Sequence, residues 1–307
     1  MLSAALGAYP HTEALKKGRV DSDLLKLEFV EISPINRAFA PMARERRFDV
    51  SEMAIATFLQ AKAYGVRLTL LPIAVAARFQ ESALLTLVDS AVRGPGDLAG
   101  RRVGVRAYSQ TTGLWLRGVL ADDFGLTPSD IRWVTFEGAH VAEYADPDFV
   151  KRAAPGKDML AMLRAGDLDA VIVGNDVPDD SAFRTVFPNP SAAADAFWAK
   201  RGFVPINHMI VVRSEIAEEQ PEIARELCRM FAAAKAAGPA SSGGRDRAPI
   251  GRAAVEPSVV FAMRYAVGQG LLPRALAIEE IWRNSPTSEL QHDWSDNASG
   301  QVRRGGE

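Results

Sequence analysis

Short apolar runs alternate with helical patterns along most of this 307-residue chain, and that alternation constrains the fold more than any other feature. A parallel sheet needs a crossover after each strand, so repeated strand–helix–strand units read as an α/β architecture. The runs Leu2–Ala8, Leu25–Ile32, Phe48–Val50, Leu68–Val75, Ala83–Val88, Arg101–Val105, Ile131–Phe136, Ala170–Val173 and Asn207–Val212 have the length and bounding turns of strands. Helices are expected from Ser33-Pro34, from Ser51-Glu52, from Thr111, and over Asp158–Ala165, Pro221–Ala236 and Phe261–Gln269. Gly166 is placed to cap the Asp158–Ala165 helix. The turn-rich Gly94–Gly100 segment, GPGDLAG, marks entry into a second lobe. Lobe 1 is therefore expected over residues 1–92 and 206–307, and lobe 2 over residues 93–205.

Composition narrows the class. Lys and Arg number 36 against 38 Asp and Glu, a net charge of −2, and the basic residues are dispersed among acidic ones. That argues against a nucleic-acid partner, whose footprint is clustered Lys and Arg. The one cysteine, Cys228, excludes an internal disulfide and a Cys-based zinc site, and its helical pattern with Leu227 and Phe231 makes it a small buried hydrophobe. No span approaches the roughly 20 apolar residues needed to cross a bilayer. The N-terminal MLSAALGAYPHTEALKKG lacks a basic segment ahead of its apolar run, so with Met1 as the native start a cytoplasmic protein is expected. The amphipathic helices pack internally or against a partner with the same pattern, which leaves a homo-oligomer open.

The stretch Arg101–Leu120, RRVGVRAYSQTTGLWLRGVL, carries the clearest chemical signal. A β-branched strand runs into the polar turn Ala107-Tyr108-Ser109-Gln110, and Thr111-Thr112-Gly113 opens a helix. Unpaired N–H groups and hydroxyls at such a helix start form an anion site. The loop lacks the Lys and Gly spacing of a nucleotide-binding loop, so a carboxylate is favoured over a triphosphate. His11, Ser51-Glu52, Ser109–Thr112 and Asn175-Asp176 all follow predicted strand ends, the edge at which open parallel sheets bind ligands. Two such sheets facing each other would bring these segments to one cleft between the lobes.

The order of these elements is that of a two-lobed type II periplasmic-binding-protein fold. Within it, the chain resembles the 4,5-dihydroxyphthalate decarboxylase family. The resemblance is carried by Phe48-Asp49-Val50-Ser51-Glu52-Met53, Gly100–Val105, Thr111 through Gly118, Leu126–Ile131, Leu168-Asp169-Ala170, Phe187-Pro188, Pro205-Ile206-Asn207-His208 and Gln269-Gly270-Leu271. It extends from about Leu6 to about Trp282. Where the family favours Arg-His after the position of Phe79, this chain has Gln80-Glu81, so the substrate itself does not carry over.

The resemblance implies a cofactor-independent decarboxylase (a carboxy-lyase) acting on a small aromatic carboxylate, with a solute-binding protein for a small carboxylate as the alternative from another class. Decarboxylation of a hydroxylated ring needs an acid to protonate the ring carbon, a polar contact for the phenol, and a drier wall for the departing carboxylate. His11, at a strand end, is the first candidate acid, the alternative being a histidine that caps a local turn. His208, on the return strand, is either an acid or a satisfied core histidine. Glu52 either takes part in the chemistry or serves only as an acidic residue at a helix start. For substrate binding the candidates are Arg78, Phe79, Glu81, Tyr108, Ser109, Gln110, Thr111, Thr112 and Asn175. Arg78 and Arg106 suit bidentate pairing with a carboxylate, and Phe79 and Tyr108 suit flanking a ring. His140 and His292 read as surface residues, and Trp115 as core. A divalent metal on His11, Glu52 and His208 is the minor alternative, imidazole and carboxylate being suitable ligands.

Overall fold

The computed structural model describes residues 1–174, 177–239 and 244–286. Its strands, in chain order, are β1 (Leu2–Ala5), β2 (Leu27–Phe29), β3 (Val50–Ala54), β4 (Leu68–Ala77), β5 (Leu84–Leu87), β6 (Arg102–Val105), β7 (Arg132–Thr135), β8 (Val150–Arg152), β9 (Ala170–Ile172), β10 (Phe183–Thr185) and β11 (Ile206–Arg213). They form two sheets, ordered β2-β1-β3-β11-β4 and β10-β5-β9-β6-β7-β8. In the first, β1 pairs in parallel with β2 and β3, while β11 runs antiparallel between β3 and β4. In the second, β6, β7, β8 and β9 are parallel, and β5 is antiparallel to β9 and β10.

This is the two-lobed α/β architecture expected from the alternation of apolar runs. The chain enters the second sheet at β5, so by sheet membership the first crossing precedes Leu84 rather than following residue 92. The turn at Gly94 lies inside lobe 2, after its first strand; its glycines and proline read as a linker because a tight surface turn has the same composition. The return crossing is made at Ile206, where β11 begins.

Burial accounts for β3 and β4. All of β3 is buried, and so is nearly all of β4. β4 tolerates Pro72 because it lies at the sheet edge, where a missing N–H breaks no ladder. Inside β3, Ser51 and Glu52 continue the ladder to β11, and the helix Ile55–Ala63 starts only after Ala54. The expected helix start at Ser51-Glu52 is thereby corrected: in a strand buried on both faces, polar residues occur without alternation. Gly166 adopts φ 76° just beyond the helix Met159–Arg164, as expected of a left-handed cap.

One continuous apolar cluster joins the lobes, running from Met53, Phe58 and Leu59 to Val103, Trp115 and Leu116. Each such fully buried side chain contributes about 1.5–3 kcal/mol. Trp115 is core, as expected, and its indole N–H donates to the Ile206 carbonyl at 2.9 Å across the lobe boundary. Cys228 is buried in a smaller cluster beneath β1 and β4, and burial pushes its thiol up to about 12. Helix Pro190–Arg201, capped by Asn189, and strands β8 and β10 have no counterpart in the sequence reading. Helix Arg252–Gly268 is longer than the expected Phe261–Gln269, its first half disguised by Pro257. Among the described residues no helix is long and apolar enough to cross a membrane.

Candidate active site

Between the two sheets lies a cavity of about 550 Å³, within the size range of small-molecule sites. Lobe 1 lines it with Phe39, Ala54, Thr57, Arg78, Asn207 and His208, and lobe 2 with Arg106, Ser109–Thr112, Phe136, His140, Lys157 and the segment Ile172–Gly174. Arg78, Arg106, Phe136 and Val173 each follow the carboxyl end of a strand, the edge where an open parallel sheet presents its loops. His208 reaches the same edge from the opposite direction because β11 is antiparallel.

A buried carboxylate organises the lobe 1 wall. Glu52 is fully buried, and its side chain collects donors from three directions. The Gly7 N–H donates to Oε2 at 2.9 Å, the Tyr9 hydroxyl to Oε1 at 2.5 Å, and His208 Nδ1 lies 2.6 Å from Oε1. Burial alone would raise the Glu52 carboxyl, but the hydrogen bonds and charge of His208, with Tyr9 and Gly7, outweigh it and hold the group below its ordinary range. An ionised carboxylate only accepts, so Nδ1 of His208 carries the proton and Nε2 is left for the cleft. Burial, then the neighbouring Glu52 charge, raises the Tyr9 hydroxyl far above its ordinary value, so it stays a donor. Gly7 is required here: a Cβ would meet the Tyr9 ring at 2.9 Å and Glu52 Oε2 at 3.0 Å.

Cations and hydroxyls from both lobes line the rest of the cavity. Helix Thr111–Phe124 begins at the cavity with no side-chain cap on its N-terminus, and Ser109, Gln110, Thr111 and Thr112 all face the hollow. Arg78 Nη2 donates to Thr112 Oγ1 at 3.0 Å, linking the lobes beside that helix start. Arg106 is paired with Glu137 at 3.4 Å, and Lys157 is exposed at the rim. Gln80 braces this wall from behind, its Nε2 donating to the Arg78 carbonyl at 2.7 Å and to Asn207 Oδ1 at 2.8 Å. A carboxylate suits this arrangement, since guanidinium and helix N–H groups both favour a planar anion.

The structure thus brings together His208, Glu52, Arg78, Ser109, Gln110, Thr111 and Thr112. Others are placed elsewhere. His11 lies on a separate hollow of about 750 Å³ with Lys235 and Asp246, its Nε2–H donating to the Val75 carbonyl at 3.1 Å and its ring stacked on Tyr9. Its turn carries the chain past the sheet edge, so the inward position falls to Tyr9. The metal alternative loses its geometry with it: among the described residues no three His, Cys, Asp or Glu side chains cluster as ligands. Phe79 packs edge-on against Phe197 and under Arg245, away from the cavity. Glu81 is buried on the Arg201 side, and burial raises its carboxyl. Tyr108 is core: its ring lies 3.9 Å from the buried Arg117 guanidinium, and its hydroxyl donates to the Gln269 carbonyl at 3.2 Å. An apolar aromatic in a polar turn looks like a ligand platform, but here it seals the base of the helix. Glu52 sits mid-strand, so its stabilisation comes from the named donors rather than a helix start. Asn175 and His292 lie outside the described residues.

Residues the sequence reading missed include Gly7, Tyr9, Thr57 and His140. Tyr9 belongs to the strand-end turn already singled out for His11. His140, read as surface, is half-buried in the cleft, with Nδ1 2.8 Å from Thr57 Oγ1. Its loop carries no period or turn motif that marks it.

No family model matches the chain. The 4,5-dihydroxyphthalate decarboxylase of Comamonas testosteroni is 27% identical over 254 residues, covering 76% of this chain and 74% of that protein. The 4,5-dihydroxyphthalate decarboxylase of Pseudomonas putida is 28% identical over 179 residues, covering 56% and 69%. Among solved structures, the periplasmic aliphatic sulphonate binding protein SsuA of Escherichia coli aligns with a TM-score of 0.63 at 14% identity, over 93% of this chain and 92% of that one. The desulfurization enzyme DSZB aligns with a TM-score of 0.51 at 15% identity, over 96% and 99%. These two share the fold. The chain is thus similar in sequence to two 4,5-dihydroxyphthalate decarboxylases and has the periplasmic-binding-protein fold.

Proposed function

We propose that this protein is a non-oxidative decarboxylase of a small hydroxylated aromatic carboxylic acid, phthalate- or benzoate-like, bound in the cleft between the lobes. One observation carries the reading: a histidine held by a buried carboxylate faces the same cavity as a guanidinium and an uncapped helix start. The names of the two relatives support the same class of substrate.

In this reading Arg78 and the Ser109–Thr112 turn anchor the carboxylate that a phthalate-like substrate retains; on a benzoate-like one they meet a ring hydroxyl instead. The ring lies against Phe39 and Ile172, so the departing carboxylate meets an apolar wall where loss of charge is favoured. His208, as imidazolium, delivers its Nε2 proton to the ring carbon that bears that carboxylate. A C–H bond forms, the bond to the carboxylate breaks, and its electron pair returns to the ring as carbon dioxide leaves. Glu52 stabilises the imidazolium and fixes its orientation, while Tyr9 and Gly7 hold Glu52. Water in the cleft then restores the proton to His208. Only a proton is exchanged, so the step calls for no cofactor.

Capture of a carboxylate without turnover is the second reading, favoured by the SsuA-like fold. Incubation with hydroxylated phthalates and benzoates, following carbon dioxide release beside binding by calorimetry, separates the two. The proposal expects release of one carbon dioxide per substrate consumed, abolished in H208A with binding retained. Binding without release across the panel would leave the capture reading in its place.

A further inference from the structure

A second imidazole shares the cleft with His208 and has no part in the chemistry above. His140 follows β7 on a lobe 2 loop that reaches across to lobe 1. Arg44 grips the loop, its Nε donating to the His140 carbonyl at 2.7 Å and its Nη2 to the Ala139 carbonyl at 2.9 Å. The ring itself meets Thr57, a buried residue on the helix that follows β3, with 2.8 Å between Nδ1 and Oγ1. Phe39 packs edge-to-face with both histidines, its centroid 5.8 Å from that of His140 and 5.0 Å from that of His208. One phenylalanine ring therefore spaces two imidazoles along the lobe 1 wall.

We propose that His140 is a substrate-contacting residue that reads a ring hydroxyl, with Thr57 as the positioning residue that sets its orientation. This rests on the decarboxylase reading for the class of substrate, but the recognition itself does not depend on turnover. With Nδ1 engaged by Thr57, Nε2 is the ring nitrogen left to meet a ligand. Burial, with the Arg106 and Arg44 guanidiniums nearby, pushes the His140 imidazole down to about 4, so it is neutral at pH 7. The 2.8 Å contact fits either tautomer; the proposal assigns the one in which Nδ1–H donates to Thr57 Oγ1, and that neutral imidazole offers a lone pair at Nε2. A carboxylate has no proton for it, and carboxylates are already served by Arg78 and the helix start. A phenolic O–H is the complementary group.

The same contact gives the hydroxyl a place in the chemistry. When His208 protonates the ring carbon, electron density flows from the hydroxyl oxygen into the ring, and its proton moves to Nε2 of His140. When carbon dioxide leaves, the electron pair returns through the ring to that oxygen, which recovers its proton from His140. His140 ends each cycle unchanged, and the net reaction remains one proton taken up and one carbon dioxide released.

The test is a matched pair of probes, 4,5-dihydroxyphthalate and phthalate, which differ only in the hydroxyls. Binding of each is measured by calorimetry for the wild-type protein, H140A, T57V and T57S, alongside thermal melts. The wild type is expected to prefer the hydroxylated acid by about tenfold or more. H140A should bring the two affinities within about twofold by weakening only the hydroxylated acid, T57V should lose part of the preference, and T57S should restore it. An unchanged preference in folded H140A, or no preference in the wild type, would overturn the assignment. Loss of preference in a protein that releases no carbon dioxide would uphold His140 as the hydroxyl reader and reject turnover.

Discussion

Replacing Glu52 with glutamine preserves the side-chain volume and removes the charge at the centre of the proposed acid. Three donors converge on this carboxylate: Gly7 N–H at 2.9 Å, Tyr9 O–H at 2.5 Å and His208 Nδ1 at 2.6 Å. A carboxamide has one acceptor oxygen, so its NH₂ must face at least one of them. With the oxygen toward Gly7, His208 has to accept at Nδ1, its proton shifts to Nε2, and the imidazolium loses its counter-charge. With the oxygen toward His208 and Tyr9, two buried N–H groups oppose each other at Gly7. Positioned general acid–base groups contribute about 10²- to 10⁴-fold, and E52Q is expected to lower kcat by about 10³-fold. Because Glu52 is fully buried and does not line the cavity, KM should move by less than about threefold. Loss of charge-assisted hydrogen bonds costs about 1.5–3 kcal/mol of stability, so activity is assayed well below the lowered melting temperature. Stopped-time assays of carbon dioxide release, with a melt for each variant, read both quantities. A folded E52Q that retains kcat within fivefold of wild type, taking about fivefold as the edge of significance, would refute the acid assigned to His208.

Further consequences follow from the same geometry. R78A should weaken carboxylate binding by about 10- to 100-fold, read by calorimetry with phthalate, because it removes a guanidinium beside the helix start. The His140 imidazole is held at about 4 by burial and nearby cations, against 6.5 unperturbed. Below pH 6.5 the unfolded chain takes up a proton that the folded one refuses, so stability is full above that value and falls as the pH drops toward 4. Thermal melts across that window should slope more steeply for wild type than for H140Q; parallel slopes would argue against a buried neutral ring. G118A should destabilise by about 1–3 kcal/mol, measured by chemical denaturation, since a Cβ there would lie 2.2 Å from the Tyr265 ring, whose hydroxyl is fixed on Asp122 at 2.7 Å.

Which parts of this were readable from the residues follows from the range of the interactions. The buried strands and the helix Thr111–Phe124 announce themselves because burial imposes a local pattern, which β8 and β10 lack, and the hydroxyl-rich turn before that helix is contiguous in sequence. Helix Pro221–Ala236 was legible to the residue for the same reason: its apolar face repeats with the helical period. The Glu52–His208 pair spans 156 positions and Thr57–His140 spans 83, so no local pattern records either. His11 and Tyr9 show the limit of strand-end reasoning. Both follow β1, but only the turn geometry decides that the tyrosine faces Glu52 while the histidine turns to Val75. Phe79, Glu81 and Tyr108 had suitable chemistry in suitable loops, yet packing turned each away from the cavity.

Turnover in D₂O tests proton delivery to the ring most directly. Product formed by the wild-type protein from the hydroxylated phthalate or benzoate of the panel that it binds should carry one deuterium, at the carbon that lost its carboxylate, with one carbon dioxide released for each product molecule. Recovery of every bound acid of the panel unchanged after saturating incubation, with heat of binding but no labelled product, would contradict it.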